Sequence, residues 1–146
     1  MFRFFKPLFQ GKRQAVENPP VGQTHRYVPE QNYYDCRLTG PITDIEPLIE
    51  AGRKLASMAD VTGCRRYLND MRGTRFDVSP EELIRLVEAH DHGGVGRGWK
   101  RALLINKIDP LYHLYEVASF NRESNLQLFT DREEALRWLL GDGSGS

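Results

Sequence analysis

The sequence predicts an α/β domain built on a single mixed, mostly parallel sheet, with an antiparallel hairpin at its N-terminal edge and four helices. Three observations predict it. Short apolar runs rich in aromatic and branched residues alternate with segments whose apolar positions recur every three or four residues. The helical segments open on capping signals. The first two strand-like runs are separated only by the turn Pro29-Glu-Gln-Asn32, which suits a hairpin, whereas the later runs are joined through helices and must therefore run parallel with right-handed crossovers.

In order, His25–Val28 and Tyr33–Leu38 are the hairpin strands, and Gly40-Pro41 ends the second. Ile45, Leu48, Ile49, Gly52, Leu55 and Ala59 form one helical face, with Thr43 and Glu46 spaced as a capping box and Pro47 in the first turn. Arg66–Met71 is the third strand, with Gly73 and Thr74 opening a loop. Next, Ser79 is placed as N-cap, Pro80 as N1 and Glu82 as N3, with Val78 and Leu83 as a hydrophobic staple. Leu83, Ile84 and Val87 are expected to face the core.

Gly93–Gly98 is a loop, and Arg101–Asn106 is the most apolar strand, as suits burial on both faces. Asp109-Pro110 opens a helix with Leu111, Leu114, Tyr115 and Ala118 on one face. Leu126–Phe129 is the last strand. Thr130 and Glu133 are spaced as a capping box for a final helix packed by Ala135, Leu136, Leu139 and Leu140, with Gly141 at its end.

The 146 residues are 40% hydrophobic and 27% charged, a globular composition, and no apolar run is long enough to span a bilayer. The formal net charge is zero, which speaks against a domain shaped for nucleic-acid phosphates. That zero is unevenly spread. Residues 1–13 hold Arg3, Lys6, Lys12 and Arg13 and no acid, together with Phe2, Phe4, Phe5 and Phe9. The remaining residues carry four more acids than bases. The chain divides into a basic aromatic arm (1–13), a linker (14–23), a folded domain (24–140) and a flexible Gly/Ser tail (141–146). Phe2, Arg3, Phe4, Phe5, Lys6 and Phe9 of the arm suit either a protein partner or the anionic face of a membrane, where rings enter the interface and cations meet head groups. Lys6 and Pro7 break any signal-peptide core, so the chain reads as cytoplasmic, with Cys36 and Cys64 as reduced, small apolar residues.

Several constellations invite chemistry. His90, Asp91 and His92 hold metal-ligand groups, but consecutive residues at a helix end splay apart; they read as a solvated C-terminus favouring the helix dipole. Gly93-Gly-Val-Gly-Arg-Gly98 follows a helix and precedes a strand, the reverse of a dinucleotide loop. Cys36 and Cys64 lack the Cys-x-x-Cys spacing of a redox pair. Trp138 reads as packing. No nucleophile–base pair, metal triad or phosphate loop stands, so no catalysis, metal or cofactor is expected. Asp70, Arg72, Arg75 and Asp77 lie at the carboxyl end of the third strand, where open α/β sheets bind ligands, and form the expected interaction loop.

Thr39-Gly-Pro-Ile-Thr43, Tyr67-Leu-Asn-Asp-Met-Arg-Gly73, Asp77-Val-Ser-Pro-Glu-Glu-Leu83, Arg101-Ala-Leu-Leu-Ile105 and above all Leu128-Phe-Thr-Asp-Arg-Glu-Glu-Ala-Leu-Arg-Trp-Leu139 resemble the SpoIIAA-like branch of the STAS domains over residues 25–140. The resemblance implies a non-catalytic regulatory module that binds a protein partner through the loop between the third strand and second helix. In phosphoregulated members a serine at the start of that helix accepts a phosphate, and Ser79 matches it. Pro80-Glu81-Glu82 stands where those members have a glycine, and the two acids would repel a phosphate. CRAL-TRIO-like relatives imply an alternative, a carrier or sensor of an apolar small molecule.

Overall fold

A computed structural model describes residues 22–121 and 125–141. The arm, most of the linker and the tail beyond Gly141 lie outside these residues. Among the described residues, five strands and four helices follow in the expected order: β1 (Gly22–Val28), β2 (Tyr33–Ile42), α1 (Glu46–Thr62), β3 (Arg66–Phe76), α2 (Pro80–His92), β4 (Lys100–Leu104), α3 (Pro110–Asn121), β5 (Asn125–Phe129) and α4 (Arg132–Leu140). The sheet order is β1-β2-β3-β4-β5, with β1 antiparallel to β2 and every later pair parallel.

That order has a geometric consequence. Three successive right-handed crossovers stepping in one direction place α1, α2 and α3 on the same face of the sheet. Tyr34, Cys36, Leu38, Tyr67, Met71 and Leu103 point to that face and form the larger core with Leu48, Ile49, Leu55, Leu83, Leu86, Val87, Tyr112 and Tyr115. Among the described residues the opposite face has only α4, which packs on β3, β4 and β5 through Ala135 and Leu139 against Leu68, Ala102 and Leu104. A nine-residue helix is about 13 Å long, too short to cover five strands.

The caps follow the sequence unevenly. At α2, Ser79 Oγ accepts from Glu82 N at 3.1 Å and the Glu82 carboxylate accepts from Ser79 N at 3.1 Å, the expected reciprocal box. At α1 the expected Thr43 box does not form. Pro47 in the first turn moves the start, Ile45 is the N-cap, and Asp44 Oδ1 accepts from Glu46 N instead. At α4 the cap is Asp131, whose carboxylate accepts from Glu134 N, rather than Thr130. Gly63 ends α1 in the left-handed region (φ 77°), where a side chain would be strained.

Three further expectations are corrected. β3 does not stop at Met71: Gly73 and Thr74 continue it to Phe76, because β2 also runs through Gly40-Pro41 to Ile42 and one extra β3 residue is absorbed between the pairs Arg37↔Asp70 and Thr39↔Gly73. β1 begins at Gly22 rather than at His25. Ile84 is exposed, and Leu86 takes the core position beside Leu83 and Val87.

His90 is corrected as well. It is not a solvated helix end but lies inside, between α1 and α3. Its Nε2 faces the Leu48 carbonyl at 3.0 Å and its Nδ1 the Tyr115 hydroxyl at 3.3 Å. A carbonyl can only accept, so Nε2 carries the proton and Nδ1 accepts from Tyr115. The Tyr115 oxygen in turn accepts from Arg101 Nη2 at 2.7 Å, and Arg101 Nε donates to Tyr67 at 3.0 Å. The polar chain therefore runs in one direction, Arg101 to Tyr115 to His90 to Leu48. Gly52 makes room for it: a Cβ there would stand 2.7 Å from the His90 ring. Burial, with the Arg101 charge nearby, pushes the His90 pKa down to about 4, and burial pushes the Tyr115 phenol up to about 12. A neutral His90 adds no cation to the α2 C-terminus.

The unfolded chain protonates His90 near pH 6.5, while the folded chain does so only near 4. This contribution to stability is therefore complete above pH 6.5 and is lost as pH falls toward 4, amounting to about 3 kcal/mol. Urea denaturation across pH 7.5 to 4 is expected to show that fall, and His90→Gln, which keeps a donor for Leu48, is expected to flatten it. An unchanged slope in the variant would refute the assignment.

Candidate functional site

The uncovered part of the sheet decides what the site is. On β2, Tyr34, Cys36 and Leu38 point inward, so Asp35 and Arg37 point to the outer face. On β3, Leu68 packs under α4, and Asp70 and Arg72 follow on the same face beyond the reach of α4. Thr74 hydrogen-bonds Tyr112 and Phe76 packs edge-on to it, which turns the intervening Arg75 outward as well. β1 adds Thr24 and Arg26, and the first residue of α4 adds Arg132.

Two carboxylates organise these cations. Asp70 lies at the floor of the face, its side chain 6% exposed, and receives Arg72 in bidentate fashion, Nε to Oδ1 at 3.0 Å and Nη2 to Oδ2 at 2.9 Å. It also accepts from the Arg72 backbone N–H at 3.1 Å, and Arg37 Nη2 approaches it at 3.6 Å. Asp35 receives Arg26 and Arg132, each through Nη2 at 3.1 Å. The hydrogen bonds from Arg72 hold the Asp70 carboxyl below the usual carboxylate range, against the opposing cost of burial. Asn106 Nδ2 donates to the Arg72 carbonyl at 2.6 Å and fixes the strand beneath the cluster.

Thr24, Arg26, Asp35, Cys36, Arg37, Asp70, Arg72 and Arg132 line an open groove of about 410 Å³. The carboxylates sit low and the guanidinium groups sit high: the side chains of Arg37 and Arg26 are 65% and 68% exposed. Four arginines meet two aspartates, and Arg75 stands on the same face beyond them, so the face is cationic. Guanidinium forks held in place by carboxylates retain outward N–H groups, and their geometry matches carboxylates and phosphates. Arg132 is informative by its placement. A cation in the first turn of a helix opposes the dipole, and here Asp35 compensates it.

The structure brings together only part of the expected interaction loop. Asp70, Arg72 and Arg75 stand on β3 itself, not on a loop. Asp77 and Ser79 are exposed beyond the strand end, where Asp77 N donates to the Ile42 carbonyl and the Ser79 hydroxyl is engaged with Glu82. That cap is worth about 1 kcal/mol. Arg26, Asp35, Arg37 and Arg132 escaped sequence reading, since they lie on three elements far apart in the chain. The alternation of Asp35 and Arg37 between inward apolar residues was the one signal for them. Of the metal-ligand residues, His90 points into the core and His92 outward. Both cysteines are buried thiols, Cys36 with its pKa raised by burial. Trp138 packs against Phe129, with Lys100 over its ring. The arm residues Phe2, Arg3, Phe4, Phe5, Lys6 and Phe9 lie outside the described residues.

Replacing Asp70 by Asn keeps the shape but removes the charge that gathers Arg37 and Arg72. Loss of charged hydrogen bonds at a buried carboxylate costs about 2 kcal/mol, so Asp70→Asn is expected to lower thermal stability measurably in low salt. A variant as stable as the parent would show that Asp70 does not anchor the cluster.

No known family profile matches the chain, and no curated protein matches it. Among solved structures, the crystal structure of an anti-sigma factor antagonist from Mycobacterium paratuberculosis superposes with a TM-score of 0.54, covering 81% of this chain and 94% of that one at 12% identity. The described residues thus share the fold of that antagonist, one mixed five-stranded sheet and four helices.

Proposed function

We propose that the protein is a non-catalytic, cytoplasmic regulatory module that binds a partner protein through the cationic face built on Arg26, Arg37, Arg72, Arg75 and Arg132. The observation that carries this reading is the buried Asp70 and the half-buried Asp35 holding exposed guanidinium groups over an open groove. Exposed ion pairs of this kind add about 0–1 kcal/mol each to stability, so folding alone gives little reason to collect five arginines on one face. Such a face instead steers and orients an acidic partner. The shared fold with an anti-sigma factor antagonist supports a regulatory rather than catalytic role. No helix among the described residues is long and apolar enough to cross a membrane. The arm, residues 1–13, supplies a second contact of its own.

The test is charge reversal. Arg37→Glu with Arg72→Glu is expected to abolish capture of the partner from the native host, while an exposed control far from the face, Val61→Glu, leaves it intact. Capture by the parent is expected to weaken as salt rises. Equal capture by the parent and the double variant would overturn the reading.

A further inference from the structure

The three-helix face carries a second surface of opposite character. α2 and α3 pack side by side, and the groove between them, about 490 Å³, is lined by Ile84, Leu114, Val117 and Ala118 with Glu88, Asp91 and Arg97 around it. Ile84 and Val117 are each 41% exposed, and Phe120, one turn beyond Val117, is 76% exposed. α3 has Glu116 as its one acid and no Lys or Arg across twelve residues. Its inner side carries Tyr112, Tyr115 and Ser119 into the core, while Val117 and Phe120 stand exposed on its outer side beside the ion pair His113–Glu116. Large apolar side chains gathered around an open groove are ordinarily covered.

The charge around the groove is acidic. α2 and α3 together hold Glu81, Glu82, Glu88, Asp91 and Glu116, against Arg85 on α2 and Arg97 on the following loop. The complement lies in the same chain. Residues 1–13 have four cations, no acid, and Phe2, Phe4, Phe5, Leu8 and Phe9 as apolar groups. They can reach. The described chain starts at β1, where the Gln23 side chain donates to the Pro47 carbonyl at 3.1 Å, beside the start of α1. α1 packs on α2, so the α2–α3 groove lies about one and a half helix spacings, roughly 15 Å, from α1. Residues 14–21 can span about 27 Å when extended.

We infer that the α2–α3 groove is the docking site of the chain's own arm, with the phenylalanines of residues 1–13 against Ile84, Leu114 and Val117 and the arm's cations facing the α2 carboxylates. A linker this short raises the local arm concentration to the order of millimolar, so even a weak contact keeps the arm docked. The inference stands apart from the cationic face, whose failure would leave it untouched.

NMR of the full chain against a chain lacking residues 1–13 tests it. Removal of the arm is expected to shift the amide signals of Ile84, Leu114 and Val117 at all protein concentrations. A synthetic peptide of residues 1–13 added to the shortened chain should move them back. Val117→Lys, at an exposed position, should weaken peptide binding about tenfold or more. Unchanged α2–α3 signals on arm removal would overturn the inference. So would shifts that appear only as concentration and molecular mass rise together, which would give the groove to the arm of a second copy. Arm-dependent binding to phosphatidylserine vesicles with unaltered groove signals would likewise assign the arm to a membrane surface and overturn it.

Discussion

The handedness of the β-α-β crossover governs this molecule. With strands laid down in sequence order, right-handed connections commit α1, α2 and α3 to one face. Among the described residues the other face is left to α4, which comes after the last strand and is too short to cover Arg26, Asp35 and Arg37 of the hairpin. What remains bare must be polar, and the chain fills it with arginines held by Asp35 and Asp70. The position of the cationic groove is thus a result of topology before it is a result of any particular side chain. Asp70 matters most within it, because a carboxylate at the floor of the face must stay ionised and partnered, and Arg72 and Arg37 are what partner it.

The interior beneath is organised by a second polar element. Arg101, on the central strand pair, is buried and donates to Tyr67 and Tyr115, and Tyr115 passes the direction on to His90 and Leu48. This chain ties β3 and β4 to α1, α2 and α3. β3 therefore carries both sets of interactions on alternate residues: Tyr67 inward to Arg101, Asp70 outward to Arg37 and Arg72. The strand that presents the groove is the strand most firmly held from behind.

Much of this was legible in the residues. The cap from Ser79 to Glu82, the hairpin turn and the apolar strand around Ala102–Leu104 follow from local chemistry, and local chemistry decides them. Expectation failed where a distant residue decides the outcome. Gly73-Thr74 reads as a break, but pairing with Thr39 and Gly40 extends the strand through it. His90 reads as solvated from its charged neighbours, and only the close approach of α1 at Gly52 explains its burial. Of the site, Asp70, Arg72 and Arg75 could be found because they are near one another in sequence. Arg26, Asp35, Arg37 and Arg132 meet them only through strand pairing and the return of α4.

The two faces of the folded domain differ in charge as well as in cover, cationic over β1–β3 and acidic along α2 and α3. Such a division fits two separate contacts, one for a partner and one for the chain's own arm. The most direct test of the partner face is an NMR titration of the protein with a synthetic poly-glutamate peptide at low and at physiological salt. Arginine side-chain and backbone signals of Arg26, Arg37, Arg72 and Arg132 should move together, saturate, and lose most of the effect at higher salt. A response spread evenly over the surface, or confined to other residues, would contradict the assignment of this face to recognition of an acidic partner.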